Sequence, residues 1–150
     1  QYFNPKFLKN IQYGDAYSRS EAWNNIARYM IPIYVLIALI VIFLSKYIVI
    51  LLVDQKFHDC FHYTMIGVGI EFCRVITNLL SKVSQSEYKT SYTILPYFFG
   101  SLICVISLSY IEFNNYYFIP ITIFIASLTT MVFMYFNMKK ILNLKLSLGA

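Results

Sequence analysis

Glu71 and Arg74 stand three residues apart near the middle of Tyr63-Thr-Met-Ile-Gly-Val-Gly-Ile-Glu-Phe-Cys-Arg-Val-Ile-Thr-Asn-Leu-Leu-Ser-Lys82. That stretch is long and apolar enough to cross a bilayer. Charge at such depth is expensive, so it faces protein or a watery cavity and marks a functional site by default. The spacing adds direction. Thr64, Gly67, Glu71, Arg74, Asn78, Ser81 and Gln85 recur at intervals of three and four, which puts them on one face of a helix. Met65, Val68, Phe72, Val75, Leu79 and Val83 are expected to fill the opposite face of the same helix. A carboxylate and a guanidinium at this spacing can serve a polar cavity. They can equally neutralise each other and pin the helix to a neighbour.

Other chemistry-bearing residues are sparse. Cys60, Cys73 and Cys104 have no metal-like spacing, and His58, Cys60 and His62 form no established ligand motif, so no metal and no cofactor is expected. His58 and His62 with Asp59 are the only candidates for catalysis at the membrane face, and two histidines near a membrane boundary read rather as interfacial residues. The sequence has no Walker loop, H-E-x-x-H, nucleophile elbow or G-x-G-x-x-G, which weighs against an enzyme.

The elements that must position the polar stripe follow from composition. The 150 residues are 59% hydrophobic and 13% charged, with a mean hydropathy of +0.60. Soluble domains are about 45–50% apolar and about 25% charged. Continuous apolar runs exclude the alternating pattern of a β-barrel. The fold class expected is therefore all-α integral membrane. The aromatic share, with 14 Tyr and 13 Phe, fits interfacial belts or sugar stacking. It fits equally well the codon bias of an AT-rich genome.

Residues 1–28 read as a polar, basic cytoplasmic segment. In it Tyr13-Gly14-Asp15 marks a turn and Asp15 caps an amphipathic helix carrying Trp23. Four transmembrane helices follow. The first covers about 29–45 and bends at Lys46 into an interfacial segment over 46–53; a single unbroken tilted helix is the alternative. The second, the striped helix, covers 59–85. The third covers 91–111, with a kink expected at Pro96 and a small-residue face of Gly100, Cys104 and Ser107. After a turn at Glu112-Phe-Asn-Asn115, the fourth covers 116–138 and leads to a basic tail, 139–150.

Four spans put both ends on one side. That side carries nine basic residues: Lys6, Lys9, Arg19, Arg28, Lys82, Lys89, Lys139, Lys140 and Lys145; the other carries two, Lys46 and Lys56. The imbalance predicts cytoplasmic termini. It also accounts for the pI of about 9.1 without invoking nucleic acid. The chain opens on Gln1 with no signal-peptide pattern before its first span, and reads as a fragment of a longer protein.

The order of features resembles the polysaccharide flippases, the translocases of O-antigen and other lipid-linked oligosaccharides, which share a superfamily with multidrug extruders. The resemblance covers roughly residues 1–140 and rests on layout and scattered positions. Asn4-Pro5-Lys6-Phe7 with Asp15 looks like the cytoplasmic segment before a second-lobe span. Tyr47-Ile-Val-Ile-Leu-Leu-Val-Asp-Gln-Lys-Phe57 looks like the apolar element and turn after it. Glu71-Phe-Cys-Arg74, Asn78 and Gln85-Ser-Glu-Tyr-Lys-Thr90 look like the next helix and its basic loop, and Leu95-Pro96-Tyr97 opens the one after. Asp54 departs from the glycine common in that turn.

The resemblance implies four helices of a larger two-lobe transporter bundle in the bacterial inner membrane, with the N-terminal lobe missing. It implies a lipid-linked oligosaccharide on undecaprenyl diphosphate as substrate and the bilayer as the other partner. Arg74 would then pair with the diphosphate, Glu71 would hold the guanidinium or serve as a titratable coupling site, and Thr64, Asn78 and Tyr63 would contact sugar hydroxyls. Rival readings are an organic-cation exporter, a membrane-embedded glycan polymerase or acyltransferase, and a small assembly subunit.

Overall fold

The computed structural model describes residues 16–110 and 118–142. The segments expected as the Tyr13-Gly14-Asp15 turn with its Asp15 cap, the 112–115 turn and most of the basic tail lie outside them. Four helices fill the described residues: α1 (Ala16–Leu52), α2 (Phe61–Ser86), α3 (Ser91–Ser109) and α4 (Phe118–Ile141), with a short 3-10 helix over Gln55–Cys60 between α1 and α2. All four are long and apolar enough to cross a membrane, and no strand occurs among the described residues. The chain is an all-α, multi-pass membrane protein.

The main difference from expectation is in α1. Its 37 residues run unbroken through Lys46, so the bend into an interfacial segment over 46–53 does not form and the single helix does. Between Pro32 and Leu52 the sequence holds no glycine or proline to release the backbone, and in hydrocarbon each released amide would go unpaired. Lys46 is exposed and lies close to the end of α1, within reach of the polar boundary through its own flexible stem. The helix stops only at Asp54, whose side chain accepts from the backbone N–H of Gln55 at 2.6 Å. At about 1.5 Å per residue α1 outruns the roughly 30 Å hydrocarbon layer, so part of it stands clear of the apolar zone. α3 passes through Pro96 as one helix, with Pro96 buried.

Packing follows the order α1, α2, α4, α3: α2 lies against both α1 and α4, and α3 leans chiefly on α4. The core gathers at one end of the bundle, where Trp23, Ala27 and Ile31 of α1 meet Ile76, Leu80 and Val83 of α2 and Met134 and Met138 of α4. The Trp23 indole donates to the carbonyl of Leu79 at 3.2 Å. Its polar edge is thus satisfied inside the core. α2 then closes on Tyr88, a residue in the left-handed region (φ 53), with Lys89 N–H bonded back to Ser84 O at 3.0 Å. That cap turns Glu87 onto Arg19, whose Nε donates at 2.6 Å and Nη2 at 3.3 Å to its two carboxylate oxygens. α1 and α2 are therefore clamped by a fork-to-fork ion pair sheltered from solvent.

α3 and α4 approach closely because Gly100 has no side chain. A Cβ there would collide with Thr130 Oγ1 and stand 3.2 Å from Thr130 Cβ. Asn137 Nδ2 donates across the same pair to Tyr92 O at 3.3 Å, and Phe99 meets Phe133 edge-on at 5.5 Å. Gly100→Leu is expected to force α3 from α4 at a cost of about 1–3 kcal/mol, and Trp23→Ala to cost about 3–5 kcal/mol through the cavity it leaves. Thermal unfolding of the detergent-solubilised protein reads both.

Candidate functional site

α2 presents two different faces because its sequence carries two patterns. Cys73, Ile76, Thr77, Leu79, Leu80, Val83 and Ser84 are buried against the neighbouring helices. Glu71, Arg74, Asn78 and Gln85 from the polar stripe are exposed on the outside of the bundle. The apolar face that the sequence suggested is turned part of the way: Met65, Val68, Phe72 and Val75 are only half-buried, and burial centres on the adjoining row through Cys73, Ile76 and Leu80.

Glu71 and Arg74 form an ion pair. Arg74 Nη2 stands 2.6 Å from Glu71 Oε2, and Arg74 Nε donates to the same oxygen at 2.9 Å. Their side chains keep 58% and 66% of their surface open. The pair therefore pins α2 to no neighbour among the described helices. One carboxylate oxygen takes both contacts. The other, Oε1, and at least three of the five guanidinium N–H groups have no partner among the described residues.

The pair sits on a ridge between two grooves. On one side, α1 and α2 part between the Trp23 core and the buried Ser45 and Val49, leaving a groove of about 630 Å³. Tyr34, Ala38, Thr64, Gly67, Phe72 and Glu71 line it. On the other, a pocket of about 290 Å³ opens between α2, α3 and α4, lined by Arg74, Tyr97, Gly100, Ser101, Cys104 and Ser127 among others. Two oppositely charged side chains joined to each other thus face two different cavities.

Of the five residues singled out from sequence, Glu71, Arg74 and Asn78 share the exposed face, and Thr64 lines the groove with Glu71. Tyr63 is half-buried at the start of α2 and lines neither cavity. Tyr34 and Tyr97 were not singled out. Each lies in a continuous apolar run with nothing in its spacing to mark it, and only the packing order of the helices brings it to α2. His58 and His62 enter no metal-ligating cluster among the described residues. The His58 ring lies 3.2 Å from Val53 O and serves the turn after α1.

No protein-family model, curated protein or solved structure matches this chain. Because the pair is exposed and its two charges satisfy one another, Glu71→Gln and Arg74→Gln are each expected to shift stability by no more than about 1 kcal/mol. Thermal unfolding in detergent measures this, and a large loss would mean that the pair anchors the fold.

Proposed function

We propose that the chain is part of a membrane transporter that moves a lipid-diphosphate-linked oligosaccharide across the bacterial cytoplasmic membrane, as polysaccharide flippases do. The observation that carries the reading is an ion pair in mid-span on the open face of α2, with guanidinium donors to spare. Lipid is a poor neighbour for such a face, whereas a hydrated cavity or a second lobe suits it. A diphosphate crossing the membrane needs a cation in that setting, and the Arg fork can hold two of its oxygens at once.

On this reading both described chain ends face the cytoplasm, where Arg19, Arg28, Lys82, Lys89, Lys139 and Lys140 gather, while Lys46 and Lys56 lie at the other end. The cavity's second wall comes from a further lobe of the same protein. Glu71 keeps the guanidinium extended, and Thr64 and Asn78 stand on the same face for sugar hydroxyls. An organic-cation exporter of the same superfamily would want an unshared acid, and Glu71 is shared with Arg74.

The test is glycan export in cells that depend on the full-length protein. Arg74→Lys is expected to reduce export by about tenfold or more, because a point charge cannot reproduce the fork. Glu71→Gln is expected to be milder. Normal export by Arg74→Ala would remove the diphosphate role.

A further inference from the structure

The geometry points to the pocket between α2, α3 and α4 as a headgroup subsite that takes a phosphate and the first sugar attached to it, with Arg74 and Tyr97 as its donors. The inference rests on the transport reading for the source of that ligand, but the pocket's chemistry stands on the structure. Arg74 brings at least three N–H groups that Glu71 does not use. The Tyr97 side chain is exposed and its hydroxyl has no partner among the described residues. No carboxylate lines this pocket; Glu71 lines the groove on the other side of the ridge.

The remaining walls are shaped for a small ligand. Ser101, Thr77, Ser127 and Thr130 donate to carbonyls of their own helices at 2.8 Å, so they offer the pocket lone pairs and carbon rather than competing donors. Gly100 and Ala126 keep the floor low. A volume of about 290 Å³ lies at the bottom of the roughly 300–1,000 Å³ range of ligand pockets, which suits a phosphate with its adjoining sugar and excludes a whole oligosaccharide. Donors for an oxyanion at the rim, acceptors for hydroxyls and an apolar floor for a sugar's C–H face together describe a glycosyl phosphate.

Cys104 lines the same pocket and reports on it. In the full-length protein in lipid vesicles, with Cys60→Ser and Cys73→Ala, Cys104 is labelled with thiosulfonates carrying a negative or a positive charge. The negative reagent is expected to react about threefold faster, less than the roughly tenfold of one unpaired charge in a partly hydrated site because Glu71 offsets part of the Arg74 charge. Arg74→Gln should abolish the preference, Arg74→Lys should retain it, and Glu71→Gln should increase it. Glucose 1-phosphate should slow labelling more than inorganic phosphate does, and Tyr97→Phe should narrow that gap. A long-chain prenyl diphosphate in the vesicles should protect Cys104 as well; protection by the soluble sugar phosphate alone would overturn a lipid headgroup as the source.

Equal rates for the two charged reagents would overturn the proposal. So would labelling by a neutral, permeant maleimide alone, which means a dry pocket. Ser101→Cys in a chain with no other cysteine repeats the measurement if the first background folds poorly. Export separates the two readings. Normal export by Arg74→Ala with charge-selective labelling of Cys104 removes the transport reading and supports the pocket, and Arg74-dependent export with charge-blind labelling does the reverse.

Discussion

Hydrocarbon does not solvate charge, and the described structure turns on how one guanidinium and one carboxylate are kept in the middle of a mostly apolar span. Glu71 and Arg74 meet that constraint first through each other, at 2.6 Å. Mutual neutralisation lowers the cost of the pair but leaves hydrogen-bonding groups over, and in a lipid setting those need water or protein. The helix that carries the pair answers by dividing its surface. One side takes the contacts with α1 and α4, and the other stays open with the polar residues on it.

The rest of the bundle makes that division possible. Three helices, α1, α2 and α4, hold together mainly at one end, through the Trp23 core and the Arg19–Glu87 clamp, and α3 is drawn in against α4 by the missing side chain of Gly100. With the packing concentrated there, α1 and α2 can separate further along and leave a groove without losing the fold. α3 stands far enough from α2 to leave a pocket against Arg74. Both cavities therefore arise from the uneven packing of long helices, and the ion pair lies on the ridge between them.

Much of the fold was legible in the sequence because the physics of a bilayer is simple to read. Continuous apolar runs had to be helices, and their lengths and the polar links between them gave four spans. The stripe on α2 was legible because its residue types contrast with their surroundings at helical spacing. Packing order was not. α4 and the part of α1 beyond Pro32 are apolar almost all round, since lipid and protein neighbours are equally apolar, so no periodicity says which side faces α2. For the same reason Tyr34 and Tyr97 could not be told from the other aromatic residues of their spans. The expected bend at Lys46 failed because a charge interrupts an apolar pattern without interrupting a helix. Only backbone-breaking residues do that, and none occurs there.

The central claim is that the polar stripe of α2 faces water inside the assembled protein and not lipid. Spin-label accessibility tests it most directly, with nitroxides at Asn78→Cys and Phe43→Cys, each in a chain whose own Cys60, Cys73 and Cys104 are replaced, in the protein reconstituted in lipid. Both positions are exposed in the described bundle. The account predicts that a water-soluble nickel complex relaxes the label at position 78 more strongly than oxygen does, and that oxygen dominates at position 43. Oxygen dominating equally at both would place the stripe against lipid and contradict it.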